Sequence, residues 1–339
     1  MPRSDRLNAL LEAAMARLED GDFEGCEQKL AQAARIDPKH PALLAMSASL
    51  AMLGGDLERA TQLGDEAVER GPEDVDVLLH IAELNVIVDP EKAVALARRA
   101  AERVEEEEQL VTAVLLLADA YLTLERPADA REALAELSSS VIDDADTILD
   151  VAHSYLAADD PTTAELWLRR LASGDDEAAA HAWHGIGQCR EAKGDRPGMI
   201  TAWQETRRRD AALPAPRLTL SDDELEALVS AALDELPAEV HRHLENVPIL
   251  VEDLPGEHLV ADGWDPRLLG IFEGTPLPEQ SAVGGVPAIT TIHLFKTNLE
   301  RMVGDDREAL ADEVRITVLH ETAHYFGLDD DDLERLGLD

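Results

Sequence analysis

Apolar and polar positions follow a helical period along the first two-thirds of the chain. Alanine-rich amphipathic runs are separated by helix-breaking pairs, and most steps between successive pairs are 34 residues long. These pairs are Gly21-Asp22, Gly55-Asp56, Asp89-Pro90, Arg126-Pro127, Asp160-Pro161 and Gly194-Asp195. Because one helical hairpin cannot bury its apolar face alone, a repeat of this length predicts helix–turn–helix units stacked into an α-solenoid.

The repeated segment resembles the tetratricopeptide repeat family. The family's pattern is carried by Ala48, Ala60, Ala67 and Pro72 in the second unit and by Trp183, Ile186 and Gly187 in the sixth. The resemblance covers residues 4–212 as about six degenerate units, departs from the pattern in the third unit and lacks most of the usual aromatics. It implies a TPR-like groove that binds a protein partner; a spacer or dimerisation element is the alternative.

The pattern changes after residues 213–217, where two prolines break the helical period and predict a linker. Ser221 and Glu224 form a capping box that predicts a helix to about Glu235, and a second short helix is predicted over 238–246. Apolar, β-branched runs predict strands at 248–252, 268–272 and 289–295. With a long helix from about Asp306, residues 218–339 are predicted to form a small α+β domain in a mostly α chain.

The long helix ends in a motif with the spacing of a metal site, His320-Glu321-Thr322-Ala323-His324, followed by Gly327 and Asp330. Positions i and i+4 share a helix face, so His320 and His324 can bind one ion. Glu321 then lies beside the ion, where it can take a proton from water. Gly327 allows the chain to reverse, which places Asp330 to donate an oxygen ligand. The pattern predicts a catalytic zinc site with an open fourth position.

Several alternatives remain at this stage. Asp330 is one of four consecutive aspartates, and only its offset from Gly327 favours it. Fifteen residues follow His324, so we expect a ligand set within the helix and its turn, although His293 is an upstream candidate. The motif's histidines can also simply face solvent on a polar helix. Two further histidine pairs are predicted to be structural: His181 and His184 beside Trp183, and His241 and His243 on the surface.

The C-terminal segment as a whole resembles the minimal zincins, a family of small predicted bacterial metallopeptidases. The resemblance is carried by Glu245-Asn246-Val247, by residues 269–274, 292–295 and 313–315, and by the motif through Asp330. It implies that His320, His324 and Asp330 are zinc ligands and that Glu321 is the general base. Ala323 and Tyr325 stand where the family often has glycine and histidine. The resemblance therefore indicates a reaction class, peptide hydrolysis, without indicating a substrate.

The amino-acid composition limits the kinds of partner that the chain is expected to bind. The net charge of −41 argues against nucleic acid and anionic membranes, which would repel the chain. Cys26 and Cys189 have no metal or redox spacing and are predicted to be core thiols in a reducing compartment. The opening residues contain no apolar leader, and arginine exceeds lysine. We therefore expect a bacterial cytoplasmic protein.

These features together predict a zinc-dependent metallopeptidase, with the repeats recruiting a substrate or partner. Residues 289–295 are the predicted edge strand for pairing an extended peptide, and Glu273 is a candidate acceptor for a ligand histidine or a solvent-facing turn residue. Two alternatives belong to other classes. One is an interaction adaptor whose zincin domain is weak or inactive, and the other is a structural scaffold without metal.

Overall fold

The computed structural model of the chain describes residues 2–139, 142–236, 242–244, 247–277 and 290–329. Within these residues the chain is mostly helical, with one three-stranded sheet. The helices are α1 (Arg3–Glu19), α2 (Phe23–Ala34), α3 (Pro41–Leu53), α4 (Leu57–Arg70), α5 (Val75–Asn85), α6 (Pro90–Ala101), α7 (Glu107–Thr123), α8 (Pro127–Leu134), α9 (Ala145–Ala157), α10 (Pro161–Leu168), α11 (Glu177–Ala192), α12 (Arg196–Asp210), α13 (Asp222–Asp234), α14 (Glu257–Asp262), α15 (Lys296–Val303) and α16 (Arg307–Tyr325). The strands are β1 (Ile249–Glu252), β2 (Gly270–Glu273) and β3 (Thr291–Phe295).

The chain forms two compact units, Met1–Trp167 and Leu168–Asp339. In the first, α1 packs on α2, α3 on α4, α5 on α6 and α7 on α8, while the first helix of each pair also contacts the first helix of the next. This arrangement confirms the predicted solenoid. The buried positions are mainly alanine, leucine, isoleucine and valine, as the 3% content of aromatic residues requires.

The breaker pairs of the sequence begin the second helix of each hairpin. The side chains of Asp22, Asp56, Asp89 and Asp195 each accept a hydrogen bond from a backbone N–H three residues further on. Such an N-cap satisfies one of the free N–H groups of the first helical turn. The aspartates of the breaker pairs therefore set where these helices start.

The second unit contains the α11–α12 hairpin as well as the predicted C-terminal domain. Met199 and Trp203 of α12 bury Val260 of α14 in a shared cluster. The domain boundary at 213–217 remains a prediction, but the last hairpin packs with α14 of the C-terminal segment.

The sheet has the strand order β1-β3-β2, with β1 parallel and β2 antiparallel to β3. Ile292 and Leu294 of β3 are fully buried against Leu310, Val314 and Val318 of α16. The expectation that β3 is the edge strand is wrong, because it is paired on both sides. Among the described strands, β2 is an edge strand that also contacts α16.

Most predicted elements of the second unit are confirmed. Ser221 and Glu224 form both hydrogen bonds of the capping box at the start of α13, and α16 begins after the N-cap Asp306. Most of the helix predicted over 238–246 lies outside the described residues. The short helices α14 and α15 were not anticipated. Cys26 and Cys189 are buried and form no disulfide bond. None of the described helices is both long and apolar enough to span a bilayer.

Candidate metal centre

Helix α16 presents the motif on a firmly packed element. Asp306 caps its start by accepting hydrogen bonds from the N–H groups of Glu308 and Ala309. Its apolar face packs on the sheet and on α13. The last turns of the helix therefore hold His320, Glu321 and His324 in fixed directions.

The two histidines of the motif point at the same place. Their Nε2 atoms are 3.0 Å apart, and the ring planes are nearly perpendicular. The Nδ1–H of His324 donates to the carbonyl oxygen of Leu328 at 2.9 Å. This hydrogen bond fixes the tautomer of His324, because Nε2 then carries the lone pair.

The turn after α16 supplies that carbonyl. Gly327 has a φ of 84°, the left-handed conformation that glycine adopts without a steric penalty. The N–H of Leu328 bonds to the carbonyl of Ala323 and the N–H of Gly327 to that of His324, which is a Schellman motif. The predicted reversal at Gly327 is thus confirmed, and it brings the Leu328 carbonyl to His324.

These residues fit a zinc ion. The lone pair on His324 Nε2 faces His320 Nε2, so a proton or a cation between the two nitrogens must satisfy them. Two imidazoles from one helix face are the ligand pair of zinc sites, and backbone carbonyls commonly orient such imidazoles. Asp330 lies outside the described residues. Within the described part of the chain, no group of three potential ligands is found.

Glu321 lies beside the histidines and is only 7% exposed. Strand β2 approaches α16 so closely here that a Cβ atom on Gly270 would lie 2.7 Å from Thr317 Cγ2 and 3.0 Å from Glu321 Cγ. A side chain at position 270 would therefore displace Thr317 and press on Glu321, so glycine allows this close approach. The sequence signal was a glycine inside a predicted strand, which often marks close backbone approach.

The motif opens into a cavity of about 800 Å³. Its floor is formed by His320, Glu321 and His324, and one wall is formed by Gly270, Ile271 and Phe272 of β2 with Gly274 just after it. The other described lining residues are largely apolar: Trp264, Leu268, Pro276 and Leu328, with Asp329 at the end of the turn. The arrangement provides a largely buried carboxylate and two imidazoles at the cavity, next to a strand edge.

His293 does not join the motif. Its Nδ1 is 2.8 Å from a carboxylate oxygen of Glu252, and its Nε2 is 3.3 Å from one of Glu273. The imidazole therefore bridges the two outer strands of the sheet. His293 is therefore paired with Glu252 and Glu273 and is not placed as an upstream metal ligand. Glu273 pairs with His293 and not with a histidine of the motif.

The other histidine pairs have partners that the sequence did not reveal. His184 donates to the carboxylate of Asp265, and His181 Nδ1 lies 2.8 Å from a guanidinium nitrogen of Arg267. Burial, followed by the charge of Arg267, lowers the pKa of His181. His243 contacts the ring of Phe326 edge-on, and His241 lies outside the described residues.

Comparison with known proteins gives a family match for the part of the chain that contains the motif. Residues 244–338 match the family model described as zincin-like metallopeptidase. This part of the chain therefore carries a zincin-like metallopeptidase domain. No curated protein sequence matches the chain.

Among solved structures, the neighbours are helical repeat proteins. PilF of Pseudomonas aeruginosa is 17% identical with a TM-score of 0.48, and the match covers 61% of this chain and 92% of that one. PilW, described as a type IV pilus biogenesis factor, is 13% identical with a TM-score of 0.49 over 60% of this chain and 92% of that one. A tetratricopeptide repeat protein from Parabacteroides merdae is 16% identical with a TM-score of 0.36, covering 60% and 93%. These similarities concern the fold alone.

Proposed function

We propose that the chain is a zinc-dependent metallopeptidase that hydrolyses peptide bonds and uses its repeats to recruit a substrate or partner. The observation that carries the proposal is the pair of Nε2 atoms 3.0 Å apart on α16, with the buried carboxylate of Glu321 beside them in an open cavity. The family match over residues 244–338 supports it.

Each residue has a separate role in this proposal. His320, His324 and Asp330 would hold the zinc, and the bound ion would supply a Lewis acid for the scissile carbonyl and for water. The Leu328 carbonyl keeps His324 in the ligating tautomer. The carboxylate of Glu321 takes a proton from the attacking water and returns it to the leaving nitrogen.

Strand β2 is the proposed docking edge for the peptide. It contacts α16, lines the cavity and has no described strand on its outer side. An extended peptide can add to such an edge through main-chain hydrogen bonds. The scissile bond would then lie across the cavity floor, within reach of Glu321.

The histidine variant tests the metal centre. His324→Ala should abolish binding of the single zinc by the purified chain, because it removes one of two ligands on α16. Asp312→Asn, on an exposed position of the same helix, is the matched control and should retain the metal. Full zinc content in His324→Ala would refute the site.

The third ligand is tested by comparing the four aspartates. Asn substitution at Asp330 should weaken zinc affinity by about 10-fold or more, since even residues that only support a ligand cost that much. The same change at Asp329, Asp331 or Asp332 should have less effect. Equal losses at all four positions would mean that diffuse charge, and not a ligand, is being removed.

The base is tested by Glu321→Gln. The variant should keep its zinc and its fold but lose about 10²–10⁴ in the rate of peptide hydrolysis, the usual contribution of a general base. Zinc content by mass spectrometry and cleavage of a peptide library measure the two effects separately. Unchanged hydrolysis in this variant would exclude the assigned role.

A groove of about 690 Å³ between α2 and α3 supports the recruiting role. Phe23 and Leu53 are exposed in its lining, together with Glu24, Glu27, Asp56 and Arg59. Apolar side chains with a mostly acidic rim suit a basic, partly apolar protein segment. The same groove favours the second candidate, an adaptor with a weak or inactive zincin domain. A chain that binds zinc and a protein partner but cleaves no peptide would be such an adaptor.

A further inference from the structure

One wall of the cavity comes from the loop at residues 262–268, which carries Trp264 and Leu268. The indole of Trp264 is 48% exposed, whereas Trp167 and Trp203 are 9% and 3% exposed. An aromatic side chain held half-exposed inside a cavity is a typical contact for an apolar ligand group. The loop therefore offers a surface that the described residues leave half-exposed.

The α11–α12 hairpin holds this loop through a partly buried pair of hydrogen bonds. His184 Nε2 donates to both carboxylate oxygens of Asp265, at 2.9 and 3.0 Å. Asp265 also accepts from the backbone N–H of Arg267 at 2.8 Å. Burial would raise the pKa of Asp265, but the bonds from His184 and Arg267 outweigh it and lower the pKa. The residue next to Trp264 is thus a carboxylate anchored to α11.

A second anchor comes from the end of α12. Arg267 forms two hydrogen bonds of 3.0 Å with the buried carboxylate of Asp210. Paired bonds of this kind fix orientation as well as distance. Arg196, at the start of α12, also donates to the backbone carbonyl of Asp262. The hairpin therefore contacts the loop at both of its ends.

Helix α15 fixes the loop from the other side. The side-chain amide of Asn298 is buried and donates to the carbonyls of Pro266 and Leu268, at 3.0 and 2.7 Å. Asn298, His184 and Asp210 together leave the loop little freedom. Sites that discriminate between ligands need such supporting contacts.

We propose that this loop forms a specificity pocket for a large apolar side chain of the substrate, and that the α11–α12 hairpin is its positioning element. The inference rests on the proposed peptidase function, because it treats the cavity as the place where a peptide binds. Trp264, Leu268 and Phe272 supply apolar surface. No lysine or arginine is among the described lining residues, so an acidic side chain would find no partner in this part of the wall.

Peptide binding tests the pocket without requiring turnover. The full-length, zinc-loaded Glu321→Gln chain is incubated with a random pool of blocked octapeptides, and the bound peptides are sequenced by mass spectrometry. Phe, Leu, Met or Trp should be enriched at one position by about 10-fold or more over Ser or Asp, a range that apolar pockets achieve. No enrichment, or enrichment of a charged residue, would overturn the proposal.

Trp264→Ala in the same background should remove most of this enrichment. The matched control is Met302→Ala, which truncates a side chain that is 63% exposed and does not line this cavity. It should leave the enrichment unchanged. If both variants, or neither, lose the preference, the pocket is not formed by the loop.

The positioning role is tested on the hairpin. His184→Ala should reduce the enrichment while zinc content and the helical circular dichroism signal stay at the level of the parent chain. Arg208→Ala is the control, since Arg208 is exposed and bonds to Glu205 on its own helix. An unchanged preference in His184→Ala would remove the hairpin from the proposal. Cleavage of the same pool by the wild-type chain is scored separately, so that a failed peptidase and a failed pocket are distinguishable.

Discussion

At the scale of single residues, the proposed metal site depends on a backbone atom as well as on side chains. The carbonyl of Leu328 accepts the Nδ1–H of His324, and it reaches that position because Gly327 adopts a left-handed conformation. A backbone acceptor cannot be removed by changing its own side chain. The residue that controls it is therefore Gly327.

Gly327→Ala should weaken zinc binding by about 10-fold, the lower range for losing a contact that orients a ligand. A Cβ atom is disfavoured at a φ of 84°, so the turn should shift and carry the Leu328 carbonyl away from His324. Zinc affinity measured by competition with a chelator gives the effect.

Gly304→Ala is the control for backbone strain. Gly304 also has a positive φ, 64°, and lies in the same unit. Its substitution should lower stability without changing zinc affinity. Equal affinity losses in the two variants would point to general destabilisation.

Some contacts of the candidate site could be predicted from the sequence, and others could not. The spacing of His320, Glu321 and His324 on a helix fixes their common face, so their grouping followed from sequence. The pairing of His293 with Glu252 and Glu273 did not, because it depends on strand order. Three strands can be arranged in several ways, and the local pattern of each strand is the same in all of them.

At the scale of elements, five of the six turns inside the helical hairpins share one geometry with different residues. Gly21, Gly55 and Gly194 have positive φ, and so do Glu125 and Asp159 at the equivalent places. A non-glycine residue in this conformation costs about 1–2 kcal/mol. Two turns of the array therefore carry local strain that the others avoid.

Glu125→Gly should stabilise the first unit by about 0.5–1 kcal/mol, because relief of the left-handed strain exceeds the entropy that glycine adds to the unfolded chain. The shift of the thermal unfolding transition of the full chain measures it. Glu125→Ala serves as the control and should give no such gain, since alanine keeps the strain. Stabilisation by both variants would assign the effect to the lost charge.

The helices of the array were predictable because each is bounded by local signals, such as the aspartate N-caps and the glycine turns. The short helices α14 and α15 were not, since each is too brief to show a period. Strand β3 was recognised as a strand and placed wrongly at the edge. Its fully buried Ile292 and Leu294 were consistent with a central strand, but the alternating pattern alone did not decide this.

At the scale of the whole molecule, the α11–α12 hairpin is a repeat by its sequence but part of the second unit by its contacts. Its sequence continues the repeat pattern, whereas its helices pack with the C-terminal helices. His184 and Asp265 are 81 positions apart in the chain, and neither belongs to a recognisable motif. Sequence periodicity indicates local structure only, so it could not predict this long-range pairing.

A fragment that begins at Leu168 should fold and bind zinc with a higher unfolding midpoint than one that begins at Leu218. The longer fragment keeps Met199 and Trp203 over the fully buried Val260. Exposing a valine side chain costs about 2 kcal/mol, before the lost ion pairs of Arg267 and Asp265 are considered. Thermal unfolding of the two fragments makes the comparison. Equal midpoints would show that the hairpin adds nothing to the stability of the domain.

Because the α11–α12 hairpin is a repeat by sequence but packs within the second unit, the number of repeats in a gene of this kind can change at some places and not at others. Repeat arrays gain and lose units by unequal recombination. The gain or loss of one 34-residue repeat before Leu168 leaves the contacts within the second unit intact. The same event across α11 and α12 removes His184 and Asp210 together. Copy number is therefore expected to vary among the early repeats of related genes and to be constant at the last one, which is inherited with the zincin domain.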